Sequence, residues 1–156
     1  MTIDALDRAI LACLVADARL TQVELAERVP LSPTAIARRI RAMEQAGVIE
    51  GYQARVSRKA LGLTMTVIVQ ISLKEQTEKL LTAFERAVVA APSVVSCQMM
   101  SGEDDYILTV LARDLADFER IHKEQLSRLP GVAKLHSSFA LREVESRPLP
   151  ANCFDH

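Results

Sequence analysis

Residues 21–47 read TQVELAERVPLSPTAIARRIRAMEQAG, and the punctuation of this stretch decides the N-terminal fold. Thr21-Gln22-Val23-Glu24 has the spacing of a capping box, in which the hydroxyl accepts from the first turn and the carboxylate reaches back to the cap. The helix it opens is short: Val23, Leu25, Ala26 and Val29 supply its apolar content, and Pro30 stops it. Ser32-Pro33 opens the next helix, since Ser is a preferred N-cap and Pro at the first helical position loses no hydrogen bond. That helix is predicted to run to about Ala46, where Gly47 suits a left-handed C-terminal cap. Ile36, Ile40 and Met43 form its buried stripe; Thr34, Arg38, Arg41 and Gln45 lie opposite, with Arg39 flanking them. So tight a turn, Val29 to Ser32, makes the two helices cross steeply, which is helix-turn-helix geometry.

Upstream, Asp4 caps an earlier helix whose apolar positions Leu6, Ile10, Leu11 and Leu14 recur at helical spacing, with Asp7 in its first turn. If the third helix enters a major groove, its arginines suit guanine edges and phosphates. An ordinary three-helix bundle with a solvated basic face fits the same pattern. After Gly47, Val48 to Val56 is β-prone and is predicted to form a short strand leading into a linker. Arg55, Arg58 and Lys59 there are either phosphate contacts or ordinary solvated charges.

The remainder reads β-α-β-β-α-β. Met65 to Leu73 alternates, with Met65, Val67, Val69, Ile71 and Leu73 on one face and Thr66, Gln70 and Ser72 on the other. A helix over 79–90 carries Leu80, Leu81, Phe84 and Val88 and ends at Pro92. Val94 to Met100 and Tyr106 to Leu111 form a hairpin around Ser101-Gly102-Glu103-Asp104-Asp105. Asp114 caps another helix, predicted to bury Leu115, Phe118, Ile121 and Leu126, and Val132 to Leu141 is the last strand. Two such halves make a ferredoxin-like α/β (α+β) fold. Both helices then cover one sheet face; Ile68 and Met100 point to the other, so two sheets are expected to pack together in a dimer. The predicted division is a helix-turn-helix domain over 1–50, a strand and linker over 51–63, the ferredoxin-like domain over 64–145, and a tail over 146–156 that is an arm on a neighbouring subunit or disordered.

Composition bounds the function. The chain has 156 residues, enough for two small domains with thin cores, and its 4% aromatic content makes those cores aliphatic. Residues 1–60 hold nine Arg/Lys and seven Asp/Glu, whereas 61–156 hold ten and thirteen, so only the first part is basic. Cys13, Cys97 and Cys153 lack metal or disulfide spacing; Cys13 and Cys97 sit in apolar runs and read as reduced core residues. No apolar run is long enough to span a membrane and the start lacks a signal-peptide pattern, so the expected compartment is the cytoplasm.

In this order and spacing, the fragments resemble the Lrp/AsnC (leucine-responsive/asparagine) family of transcriptional regulators, from Ile3 to about Val144. The resemblance rests on Ile3-Asp4, Asp7, Ile10-Leu11, Asp17-Ala18-Arg19-Leu20-Thr21, Glu24-Leu25-Ala26, Leu31-Ser32-Pro33 and the run Arg41 to Ile49. In the second part it rests on Ser101 to Tyr106, Leu129-Pro130-Gly131-Val132 and Ser137 to Val144. It implies a winged helix-turn-helix DNA-binding domain whose contacts come from Thr21, Ser32, Thr34, Ala35, Arg38, Arg39 and Arg41. It implies a homodimer, assembling to a tetramer or octamer, that binds double-stranded DNA under the control of an amino acid or related metabolite. It places that effector where sensor domains of neighbouring dimers meet, in a pocket including Met100, Gly102, Asp104, Asp105, Ser137 and Ser138. A carboxylate there can pair with an α-ammonium group, while backbone N–H groups and hydroxyls hold an α-carboxylate. Closure of the hairpin alone would account for Gly102 but not for three successive acids. Two departures stand out: Pro30 replaces a frequent Gly or Asn, and Asp104 occupies a variable, often aromatic position, so the extra acid favours a polar or basic ligand.

Two other function classes fit the same architecture. Tetrapyrrole decarboxylase-like enzymes resemble this architecture, and their polar site would call on His122, His136 or His156; no catalytic triad, metal-ligand set or cofactor motif is legible. A sensor or assembly module without DNA affinity is the other, against which Arg38, Arg39 and Arg41 speak.

Overall fold

The computed structural model describes residues 1–150 and 152–154 and divides into two compact units, Met1–Arg55 with the tail from Glu145, and Val56–Val144. In the first, α1 (Ala5–Ala16), α2 (Gln22–Ala26) and α3 (Pro33–Gln45) begin at caps that close locally. Asp4 accepts from the Asp7 N–H while the Asp7 carboxylate accepts from the Asp4 N–H, a capping box built from two aspartates. Thr21 and Glu24 form the second box, and Ser32 Oγ accepts from the Ala35 N–H at 3.3 Å. At the end of α3, Gly47 turns left-handed at φ 70°; its N–H donates to the Glu44 carbonyl and that of Val48 to Met43, satisfying carbonyls the helix leaves open. Ile10, Leu14, Leu25, Val29, Ile36 and Met43 form the core, each side chain worth about 1.5–3 kcal/mol of transfer free energy.

The structure departs from expectation at two places. Val23 is 61% exposed: α2 is only five residues long and buries Leu25 alone. Within this single chain Val48–Val56 pairs with no other strand and is not itself a strand; residues 50–60 are all exposed. Within the chain, the tail from Glu145 groups with this unit, and Arg8 Nη1 donates to the Cys153 carbonyl at 3.3 Å.

The second unit is the ferredoxin-like sheet. Strands β1 (Met65–Leu73), β2 (Val94–Met99), β3 (Tyr106–Ala112) and β4 (Val132–Phe139) lie in the order β2-β3-β1-β4, with every neighbouring pair antiparallel. Helices α4 (Glu78–Val89) and α5 (Leu115–Glu124) cover the face carrying Val67, Val69, Ile71, Tyr106, Leu108 and Val110. Phe84 stacks on Tyr106 with ring centroids 4.5 Å apart, and Phe118 meets Phe139 edge-on at 5.3 Å. Leu115, expected in the core, is 54% exposed: it is the first residue of α5 and turns away from the sheet. Cys97, also expected inside, is exposed on β2, an edge strand of the sheet. Among the described residues no helix is long and apolar enough to cross a membrane.

Candidate functional site

In the N-terminal unit the exposed face of α3 carries Thr34, Arg38, Arg41 and Gln45, which a 3.6-residue period gathers within about 60° of arc. Together with Gln22 of α2 they line a recess of about 500 Å³ floored by Pro33, Ala37 and Ala42. The floor matters: small side chains let a partner's backbone approach the helix while the arginines reach past it. Among the described residues neither Arg38 nor Arg41 has an ion-pair partner, so both guanidinium forks are available. Gln22 was not singled out from the sequence; its signal was its position next to the cap of α2, where a side chain stands at the mouth of the turn.

The other expected contacts sort differently. Thr21 accepts from the Glu24 N–H at 3.3 Å and donates to the Glu24 carboxylate at 2.8 Å, so its hydroxyl is committed to the cap. The Thr21 backbone N–H also donates to that carboxylate, and these bonds hold Glu24 below the usual carboxylate range. Ser32 spends its oxygen on the Ala35 N–H, and Ala35 is half-buried. Arg39 leaves the face altogether. It lies about 140° round the helix from Thr34, and its Nη1 sits 2.8 Å from Asp4 Oδ2 and 2.8 Å from Asp7 Oδ1. The expectation that it joins Arg38 and Arg41 is corrected: two carboxylates of α1 hold it.

In the second unit the turn between β2 and β3 separates the successive acids by role. Asp105 is buried; its carboxylate accepts from the Leu73 N–H at 2.6 Å and from Gln76 Nε2 at 2.5 Å. Its N–H donates to the Ile71 carbonyl and its carbonyl accepts from the Met100 N–H, both at 2.8 Å. With these bonds Asp105 staples the turn to the end of β1. Asp104 faces the uncovered side of the sheet, where it accepts from Gln70 Nε2 at 2.8 Å and Ser72 Oγ at 3.3 Å. Met100 is exposed beside it. Gly102 does not have a positive φ, and a Cβ added there would meet no described atom within 4 Å. Closure of the hairpin therefore does not require the glycine, contrary to expectation.

The two serines of β4 part company. Ser138 pairs with Ile68 and shares the open face, whereas Ser137 pairs with Val69, whose side chain is buried under the helices. Directly opposed residues share a face, so Ser137 is turned away from Asp104. His136 stands opposite Gln70 on the open face. The site brought together is thus Gln70, Ser72, Asp104, His136 and Ser138, with Met100 and Gly102 at its rim. Gln70 and Ser72 were legible as polar positions facing away from the core; their bonds to a turn some thirty residues on were not. His122, on α5, is exposed and stands edge-on to Phe118 at 6.3 Å; His156 lies outside the described residues.

Comparison with known proteins matches both units. A family model described as the Lrp/AsnC ligand binding domain covers residues 66–150, and one described as winged helix-turn-helix DNA-binding covers 3–50. The chain is 41% identical to the Bkd operon transcriptional regulator of Pseudomonas aeruginosa over 95% of its own length and 97% of the relative's. It is 43% identical to the proline dehydrogenase transcriptional activator of Rhodobacter capsulatus over 96% and 97%. A transcriptional regulator of Neisseria meningitidis, solved as a complex with L-methionine, superposes with a TM-score of 0.90 at 34% identity, covering 97% of this chain and 98% of that one.

Proposed function

The chain belongs to the Lrp/AsnC family of transcriptional regulators, and from that premise we propose how its two units divide the work. It is a DNA-binding regulator whose activity an amino acid modulates. Helix α3 reads double-stranded DNA with Thr34, Arg38, Arg41 and Gln45, and Gln22 of α2 lies against the same groove. The observation that carries this is the recess on α3, where two unpaired arginines rise above a floor of alanines. Arginine forks suit paired guanine acceptors and phosphate oxygens. Thr21 and Ser32 serve the interface from behind, by fixing where α2 and α3 begin.

The open face of the sheet holds the effector. Asp104, preset by Gln70 and Ser72, is the anchor for an α-ammonium group or a polar side chain; His136 and Ser138 lie on the same face. Gly102, unforced by its own chain, keeps the rim low enough for a ligand or a second subunit to approach. A shelf on a sheet cannot bury a small ligand alone, so a neighbouring copy closes it, in a homodimer that assembles further. The role is binding, not catalysis: the matched relatives are named as regulators.

The test is fluorescence anisotropy on a duplex from immediately upstream of the chain's own coding region, at near-physiological salt, with Arg38→Ala alongside. Wild-type binding and a loss of about 1–3 kcal/mol in the variant are expected. Titrating amino acids into the complex is expected to shift the wild-type curve, and Asp104→Ala to change which amino acid does so. Absence of binding to that duplex and to pooled genomic fragments, with the oligomer intact, would overturn the assignment of α3.

A further inference from the structure

Arg39 is the one arginine of α3 that turns inward, and what it meets is specific. Its Nη1 bridges Asp4 and Asp7 at 2.8 Å each, and the Asp7 side chain is only 2% exposed. The same two aspartates form the capping box of α1. A single guanidinium therefore ties the middle of α3 to the first turn of α1.

Beside this clasp, Ile10 and Leu14 of α1 and Ile36 and Met43 of α3 share one apolar cluster with Leu25 and Val29. Apolar burial is non-directional and sets the rotation of a packed helix less sharply than directed hydrogen bonds do. One guanidinium nitrogen held between two carboxylates is directional and fixes the angle more tightly. Rotating a helix by about 20° moves its side-chain tips by about 2 Å, given an outer radius of about 5–6 Å. That displacement exceeds what a base-edge hydrogen bond tolerates. Arg38 and Arg39 are adjacent in the chain, so whatever fixes one fixes the direction in which the other leaves the helix.

We propose that Arg39 is a positioning residue: clasped by Asp4 and Asp7, it sets the rotation of α3 and thereby operator discrimination, without contacting DNA. The proposal rests on the reading that α3 enters the groove. Its signature differs from that of a DNA contact. A residue bound to phosphate adds about one to the salt slope of binding, whereas one acting inside the protein does not. Asp7 is buried too deeply to reach DNA, yet it is half of the clasp.

The experiment measures anisotropy of the full chain on the upstream duplex and on an unrelated duplex across a salt series. The variants are Arg39→Met, Asp7→Asn, the double variant and Arg38→Ala, with far-UV circular dichroism confirming folded protein at the assay temperature. Expected for Arg39→Met is about a tenfold fall in the ratio of operator to unrelated-sequence affinity, the scale of one lost base contact, with the salt slope unchanged. Asp7→Asn is expected to lower the same ratio, and the double variant to fall no further than Arg39→Met. Should Arg39→Met unfold, Asp7→Asn, which keeps the shape and one acceptor oxygen but removes the charge and makes the other acceptor a donor, carries the test alone. A salt slope lowered by about one in Arg39→Met with wild-type behaviour in Asp7→Asn would make Arg39 a phosphate contact and overturn the proposal. An unchanged ratio in folded variants would reduce the clasp to stability alone and overturn it as well. If instead the wild type does not discriminate, or Arg38→Ala leaves discrimination intact, the reading-helix assignment fails first and the clasp falls with it.

Discussion

Gly131 and Gly102 both sit in motifs that the family resemblance singles out, yet their own chain treats them differently. Gly131 is left-handed at φ 73°, and a Cβ there would stand 2.5 Å from the methyl groups of Leu80. Gly131→Ala must therefore strain the backbone and push back a side chain of α4. We expect it to destabilise the sheet unit by about 1–3 kcal/mol in urea unfolding, while Gly102→Ala leaves stability within about 0.5 kcal/mol. Equal effects at the two sites would remove the argument that Gly102 is kept for an approaching partner. The three acids of the turn repeat the lesson. Side by side in sequence, they do not say that Asp105 is a staple and Asp104 faces the open sheet. That difference is made by Leu73, Gln76, Gln70 and Ser72, which lie about thirty residues upstream.

For single elements, what was legible is what is settled within four residues. The starts of α1, α2 and α3 follow from Asp4-Asp7, Thr21-Glu24 and Ser32-Pro33, because a cap closes on its own first turn. These caps also set a pH dependence. The Asp7 N–H, and then Arg39, hold the Asp4 carboxyl below its ordinary range, and the Thr21 N–H and hydroxyl do the same for Glu24. A carboxylate with a depressed folded pKa contributes stability that is present above its unfolded pKa and lost as pH falls through the folded value. The melting temperature of the N-terminal unit, followed by circular dichroism, is expected to stay flat from neutrality to about pH 5 and to fall below about pH 4. A decline beginning above pH 6 would point to some other group. Elements that need a distant partner were less legible. Val48–Val56 has strand composition but no strand beside it, and Val23 has helix-core composition on a helix too short to bury it.

Taken whole, the sheet is covered on one side only. The open side carries Ile68 and Ile107 among Gln70, Gln98, Thr109 and Ser138. We propose that this mixed face meets a second copy of the chain. Ile68→Lys puts a charge at its centre. Light scattering after size exclusion is expected to show a smaller assembly, down to a single chain, with the fold retained by circular dichroism. An unchanged mass would place the subunit contact elsewhere, on the exposed edges of β2 or β4.

The division between what the chain's order of residues determined and what folding added follows the range of the forces involved. Hydrophobic period, caps and turn residues act over a few positions, and they alone gave three helices, a β-α-β-β-α-β succession and an arginine-bearing face on α3. Tertiary structure decided which polar groups are spent and which remain free, because that depends on partners brought near by the fold. Arg39 was withdrawn from the reading face by aspartates thirty-two and thirty-five residues away. Asp105 was withdrawn from the open face by the end of β1, and Ser137 by the pleat that puts adjacent residues of a strand on opposite sides of the sheet.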